Sequence, residues 1–336
     1  MGEFDLIARY FKRPSREAEP GVALGIGDDC ALLQPRPGMQ LAISSDMLVE
    51  GRHFFPDVDP AHLGHKALAV NLSDLAACGA KPLAFTLALA LPRVDEPWLA
   101  AFSHGLFALA DAHGCALIGG DTTQGPLNIC ITVFGEVPVV SGKSQALLRS
   151  GARAGDDLYV SGTLGDARLA LDALRGSISL PANVLTQARQ RLEQPTPRVA
   201  LGIALRGIAT AAIDVSDGLL GDLRHVLKAS HCGASIDTSV AIQLIASHAC
   251  GKRASGQFDA EFSLQNRLNW VLAGGDDYEL LFTAPASAQA AVIQAAHSSA
   301  TSVTRIGRMD EETGLRLVDA NGQPVSGQFA SFDHFA

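Results

Sequence analysis

Six short stretches of this 336-residue chain set aspartates beside glycine, serine or asparagine where apolar runs end. They are "GIGDD" reaching Asp29, "ISSD" at Asp46, "NLSD" at Asp74, "IGGD" at Asp121, "IDVSD" at Asp214 and Asp217, and "GGDD" at Asp276 and Asp277. Taken singly, each Asp reads equally well as a turn or N-cap residue. Asp74 fits that reading poorly. It sits inside the apolar helical stretch "ALAVNLSDLAACGA", and a buried carboxylate without a partner is costly. Asp214 is similar, following "ATAAI" directly. A bound cation would remove the cost in both places.

Carboxylates and hydroxyls without clustered Cys or His suit a hard cation such as Mg²⁺ rather than zinc. An EF-hand loop beginning at Asp214 is excluded by spacing, because its glycine falls one position early and His225 stands where the bidentate Glu belongs. Acids converging from distant positions, with glycine-rich turns whose N–H groups can face phosphate, point to metal-bridged polyphosphate.

Three motifs are decoys. "SGKS", Ser141 to Ser144, lacks the first glycine of a phosphate-binding loop, where Val137 stands, and reads as a surface turn. "GIGDDC" has Cys30 in place of the third glycine of a dinucleotide fingerprint. No G-x-S-x-G elbow is present. Two basic residues complete the chemistry. Arg149, in "LLRSGARAGDD", is able to fork onto phosphate oxygens or to stand as a solvated linker charge. His53, in "VEGRHFF", reads alone as a packed core histidine.

These residues need elements to hold them. A helix is expected over residues 2 to 12, a strand in "LAISSDML", a helix in "HLGHKALAVNLSDLAACGA" stopped by Gly79, and a strand in "LAFTLALAL". A helix closed by Gly114 and the strand "LNICITVFGEV" follow. Val137 to Gly155 reads as a crossing between domains. Beyond it, strands are expected in "DLYVSG" and "IATAAIDVS", helices in "LGDARLALDAL" and "DGLLGDLRHVLKASHCG", and a strand, acidic turn and strand across "LNWVLAGGDDYELLFTA". This alternation predicts an α/β or α+β fold, and the length predicts two domains, residues 1–140 and 141–336. With 47% hydrophobic residues and a net charge of −9, without a basic cluster, the chain is expected to bind neither nucleic acid nor anionic membrane. Six scattered cysteines read as reduced, and the N-terminal acids Glu3 and Asp5 do not fit a signal peptide, so a cytoplasmic location is expected.

Read in order, "GEFDLIARYF", "GIGDDCALL", "AISSDMLVEGRHF", "KALAVNLSDLAACGAKP", "LIGGDTT", "AIDVSDGLLGDL", "GGDDYEL" and the terminal "FDHF" resemble the thiamine-monophosphate kinase family, nearly end to end. That family lies in the aminoimidazole ribonucleotide synthetase-like superfamily. The resemblance implies two α/β domains, each a mixed sheet covered by helices, and a homodimer that pairs through the N-terminal sheets. It implies an N-terminal domain for dimerisation and ATP/Mg binding, with a C-terminal domain completing the nucleotide and substrate site. The implied reaction moves the γ-phosphoryl group of ATP onto thiamine monophosphate with several Mg²⁺ ions. The implied magnesium ligands are Asp29, Ser44, Ser45, Asp46, Asp74, Asp121, Asp214 and Asp217. Gly120, Asp121, Arg149 and Ser216 match the family's nucleotide contacts, and His53, Asp276 and Phe332 its substrate contacts. Asp276 stands where the family often has Glu, Phe332 where Tyr or Trp is common, and Ser45 where Thr is common. Two rivals remain open on sequence: a synthetase of the same superfamily acting on selenide or a formylglycinamidine-type substrate, and a Mg-nucleotide-binding regulatory subunit. Asp28 and Asp277 either bind something or support the ligand beside them.

Overall fold

The computed structural model describes residues 2–13, 21–246, 262–327 and 329, so Phe332 and the terminal "FDHF" lie outside the described residues. The chain divides into two compact units, one comprising Met1–Leu75 with Ala80–Ala146 and the other Ala76–Gly79 with Leu147–Ala336.

In the first unit, α1 (Glu3–Leu6) runs into a π-helical turn, Ile7–Phe11. Then come β1 (Val22–Leu24), β2 (Leu32–Leu33), β3 (Met39–Val49), α2 (Pro60–Ala77), β4 (Lys81–Leu91), α3 (Glu96–His113), β5 (Ala116–Gln124), β6 (Asn128–Val140) and β7 (Lys143–Ser144). The sheet runs β3-β6-β4-β5, with β7 added to the end of β6. β4 and β5 are parallel, so a crossover is required and α3 supplies it. α3 is well punctuated: Asp95 accepts the Trp98 N–H at 3.1 Å, and Gly114 ends it at φ 59°. α2 is apolar on most faces and packs closely on α3. A Cβ on Gly105 would lie 1.9 Å from the Ala61 carbonyl oxygen, and one on Gly64 2.1 Å from that of Phe102.

The second unit contains β8 (Asp156–Ser161), α4 (Asp166–Leu174), α5 (Ala182–Glu193), α6 (Val199–Ala204), β9 (Ala211–Val215), α7 (Leu219–Ser230), β10 (Gly233–Asp237), α8 (Thr238–Ala241), α9 (Leu264–Ala273), β11 (Glu279–Pro285), α10 (Gln289–Ser298), β12 (Val303–Asp310) and β13 (Gly314–Val318). Its six-stranded sheet has the order β13-β10-β12-β8-β11-β9. A core that includes Leu158, Val160, Ile213, Leu223, Trp270 and Leu281 is sealed from water. The apolar area removed there is the main stabilising term.

Three expectations are corrected. "LNWVLA" is the second half of helix α9, not a strand. Leu264, Leu268 and Leu272 repeat at helical spacing, and Ser263 caps the first turn by accepting the Asn266 N–H at 3.2 Å. "IGGDTT" is not a turn but part of β5, whose ladder with β4 slips once between Phe85 and Thr86. Val137–Val140 still belongs to β6, and the interdomain crossing begins later. "SGKS" is the tip of a two-residue hairpin: Val140 pairs with Lys143, and Ser141 and Gly142 both have positive φ, 50° and 74°. That is the mirror-type turn that matches strand twist.

Candidate active site

In the first unit the expected ligands fall into two groups. The first lies between β3 and α2. Strand alternation sends Ser44 and Asp46 to one face of β3 and Ser45 to the other. Three-residue spacing puts Asn71 and Asp74 on one side of α2. The two elements meet through these residues. The Ser44 hydroxyl donates to the Asp74 carboxylate, and Asn71 Oδ1 accepts the Asp46 N–H at 3.1 Å. Asp74 is therefore half-buried and hydrogen-bonded, which corrects the picture of a buried carboxylate without a partner. Ser45 faces away, with its oxygen 2.9 Å from Thr132 Oγ1. The two serine hydroxyls thus point to opposite faces and do not reach one ion together. His53 follows the same strand. Its Nδ1 accepts the Val49 N–H at 3.0 Å, which leaves the proton of a neutral ring on Nε2. The buried Lys66 of α2 donates to the His53 carbonyl at 3.3 Å.

The second group sits across the sheet. Asp46 pairs with Ile131, Ile131 with Leu87, and Leu87 with Gly120. Asp46 and Gly120 are thus level but three strand spacings apart, about 14 Å. Here a cavity of about 680 Å³ is lined by Asp28, Asp29, Gly120 and Asp121 on one side and by Phe4, Ile7, Phe11 and Ile26 on another. Its size is that of a small-molecule site. The segment after the acids holds this edge in place, because Ala31 and Leu33 pack against Ala84, Ala116 and Ile118. Gly120 is required by close approach: at φ 146° a Cβ would lie 1.8 Å from the Leu87 carbonyl oxygen. Asp28 Oδ1 accepts the Asp29 N–H at 2.9 Å, so Asp28 shapes the turn that presents Asp29.

In the second unit β9 and its neighbours assemble another set. Asp214 is buried near the end of β9, and the turn that follows carries Ser216 and Asp217. The Ser216 carbonyl accepts the Asp276 N–H at 2.8 Å, and the Val215 carbonyl accepts that of Tyr278 at 2.8 Å. Asp276 and Tyr278 are held in the left-handed region, φ 65° and 50°. Such strained residues are kept only where their surroundings fix them. Beneath them Asp277 is buried, both its oxygens accepting the Gly165 N–H at 3.0 Å. Burial pushes its carboxyl well above the usual range, against the pull of that N–H and of Arg191. Glu279, fully buried, is paired with Arg191 at 2.8 Å and Arg198 at 2.5 Å, and accepts the Ser161 hydroxyl at 2.6 Å.

Arg149 lies elsewhere along β9. The Leu148 carbonyl accepts the Ala212 N–H at 2.8 Å, so Arg149 stands beside the beginning of the strand and the acids at its end. The Ser230 hydroxyl donates to the Arg149 carbonyl at 3.1 Å and accepts the N–H groups of Gly151 and Ala152. Sequence reasoning missed three supporting residues, Asn71, Ser230 and Asp222. The Asp222 carboxylate accepts the N–H groups of Ser216, Asp217 and Gly218, each at 3.1 Å. Burial, reinforced by the Asp217 charge, raises its carboxyl to about 7 although the three N–H groups pull it down. The signal available in sequence was its place in the first turn of the helix after "DVSDG".

The donor set fits Mg²⁺. The candidate ligands are oxygens in groups of two or three, and Mg²⁺ takes few protein ligands when water and phosphate oxygens complete its shell. Among the described residues, no helix is long and apolar enough to cross a membrane.

Two sheet-based α/β units with acidic turns define a recognised class. The AIR synthase related protein N-terminal domain matches residues 27–137 and its C-terminal domain residues 153–320. Within that class, the thiamine-monophosphate kinase of Salmonella typhimurium is 48% identical over 340 aligned residues, covering 100% of this chain and 98% of that protein. The crystal structure of thiamine-monophosphate kinase from Stenotrophomonas maltophilia K279a is 43% identical, with a TM-score of 0.80 and 96% of each chain covered. A structure described as AaThiL complexed with AMPPCP and TMP is 27% identical, with a TM-score of 0.72 over 90% of this chain and 89% of that one. The chain belongs to the thiamine-monophosphate kinase family.

Proposed function

We propose that this chain transfers the γ-phosphoryl group of ATP to thiamine monophosphate, giving thiamine diphosphate and ADP, with Mg²⁺ held by its aspartates. The observation that carries this reading is the 48% identity over the whole length to a thiamine-monophosphate kinase. Full-length similarity to proteins of that one activity favours it over the selenide, formylglycinamidine and regulatory-subunit readings.

The acceptor is a phosphate monoester with a second pKa near ~6, so at neutral pH it is already an oxygen nucleophile and needs no strong base. The difficulty is bringing two anions together in line. Mg²⁺, when bound, supplies the charge neutralisation between acceptor and triphosphate. Ser44, Asp46 and Asp74 form one ligand group, Asp29 and Asp121 a second, and Asp214 and Asp217 a third. Ser45, whose hydroxyl faces away, enters through its main-chain oxygen. The 680 Å³ cavity suits a nucleotide, with its apolar wall for the base and Gly120 and Asp121 toward the phosphates. Arg149 is exposed and its guanidinium has no partner among the described residues, so it is available to phosphate. Ser216 joins it as a nucleotide contact, while His53, Asp276 and Phe332 serve thiamine monophosphate.

The alternating exposure of Leu41, Ile43 and Met47 on β3, an edge strand of 11 residues, supports a homodimer that covers this face. A cytoplasmic location accords with a biosynthetic kinase using ATP. Incubating purified chain with ATP, Mg²⁺ and thiamine monophosphate tests the reaction. Thiamine diphosphate and ADP are expected in equal amounts, and ATP consumption without thiamine diphosphate would refute it. Trapping a phosphorylated side chain from labelled ATP alone would refute direct transfer.

A further inference from the structure

We infer that Asp222 is a positioning residue that fixes the magnesium turn and the substrate turn together, so that one buried carboxylate sets the geometry of both. The inference rests on the reaction proposed above. Asp222 itself is buried in the first turn of α7, where it touches the backbone of the turn and not its ligand groups. One oxygen, Oδ2, gathers three successive N–H groups, those of Ser216, Asp217 and Gly218, each at 3.1 Å. Three donors aimed at one point leave the turn little freedom. With the backbone N–H groups committed inward, the Ser216 and Asp217 side chains stay partly exposed.

The constraint then passes to the second turn through backbone contacts that have no slack. The Ser216 carbonyl takes the Asp276 N–H at 2.8 Å. A Cβ on Gly275 would come within 2.5 Å of that same carbonyl oxygen. A Cβ on Gly218 would come within 2.9 Å of the Ala273 carbonyl. The turn carrying Asp217 and the turn carrying Asp276 are therefore one packed backbone unit with Asp222 at its root. Loosening one displaces the other. Residues that orient ligands from behind commonly alter metal affinity or activity when removed.

The test compares wild type with Asp222→Ala, Asp222→Asn and Asp222→Glu. Asp222→Ala is expected to raise both the Mg²⁺ concentration for half-maximal rate and the KM for thiamine monophosphate by about 10-fold or more. Asp222→Asn, which keeps an acceptor oxygen in place, is expected to recover most of both. A residue that only stabilised the fold would lower the active fraction and apparent kcat while leaving both half-saturation values unchanged, and that result overturns the proposal. If the alanine variant does not fold, Asp222→Glu is read in the same way, since one added methylene misplaces the oxygen. Mn²⁺ binding followed by electron paramagnetic resonance, with a non-hydrolysable ATP analogue, gives a readout independent of turnover. Weakened Mn²⁺ binding in Asp222→Ala or Asp222→Glu supports the inference, and wild-type binding in the folded variants overturns it. A wild-type chain that makes no thiamine diphosphate refutes the proposed reaction separately, while the Mn²⁺ comparison still decides the role of Asp222.

Discussion

The two units hold their acids in opposite ways. In the first, Asp29 and Asp121 are exposed and Asp46 and Asp74 half-buried, with contacts from Asp28, Ser44 and Asn71 among those that hold them. In the second, Asp214 is buried, and the turns bearing Asp217 and Asp276 rest on the buried groups Asp222, Asp277 and Glu279 with Arg191 and Arg198. The difference is one of foundation. A sheet and a helix already define where Ser44 and Asp74 stand, whereas irregular turns with left-handed residues need polar anchors beneath them. Ligand residues and structural residues should therefore separate cleanly in the first unit and be coupled in the second.

The largest effect is expected at the anchor. Glu279→Gln leaves Arg191 and Arg198 facing a neutral amide, and breaking a buried ion pair costs about 3–5 kcal/mol. Denaturant unfolding should register that loss; a change below about 1 kcal/mol would mean that the network is not an anchor. Next comes Asp74→Asn, which should lower turnover by on the order of 10²–10³-fold while moving stability by no more than about 0.5 kcal/mol. Equal losses of stability and activity there would erase the contrast between the units.

A gentler effect concerns acid sensitivity in the first unit. Burial, with His65 as a second cause, lowers the pKa of His113 near the end of α3. Its folded pKa lies below its unfolded one, so its contribution to stability is present above the ordinary histidine range and is lost as pH falls through and below it. His113→Gln should flatten the decline of Tm between pH ~7 and ~5.5, and an unchanged profile would remove His113 from the account. The smallest effect is at the hairpin tip. Lys143→Ala should leave the rate at the wild-type value, and a loss matching that of Asp74→Asn would mean that the "SGKS" turn is functional after all.

Much of this was legible in sequence wherever pattern and punctuation agreed. Asp95 and Gly114 bracket α3, strand alternation separates Ser44 from Ser45, and the glycine-aspartate turn at Asp29 marks the cavity edge. What escaped depends on contacts distant from the pattern. "LNWVLA" looks alternating until Leu264 and the Ser263 cap restore the helical period. Asp222 looks like one more helix-start acid until its oxygen is seen to gather three N–H groups behind it. Glu279 looks like a strand-edge charge until Arg191 and Arg198, more than 80 positions away, close on it.

The central proposal is that Asp74 and Asp214 are each magnesium ligands in phosphoryl transfer. Mn²⁺ titration of wild type, Asp74→Asn and Asp214→Asn, each with a non-hydrolysable ATP analogue, tests it most directly. Each variant is predicted to fold and to bind less Mn²⁺ than wild type; a folded variant that keeps the full complement while losing turnover would contradict the claim for that aspartate.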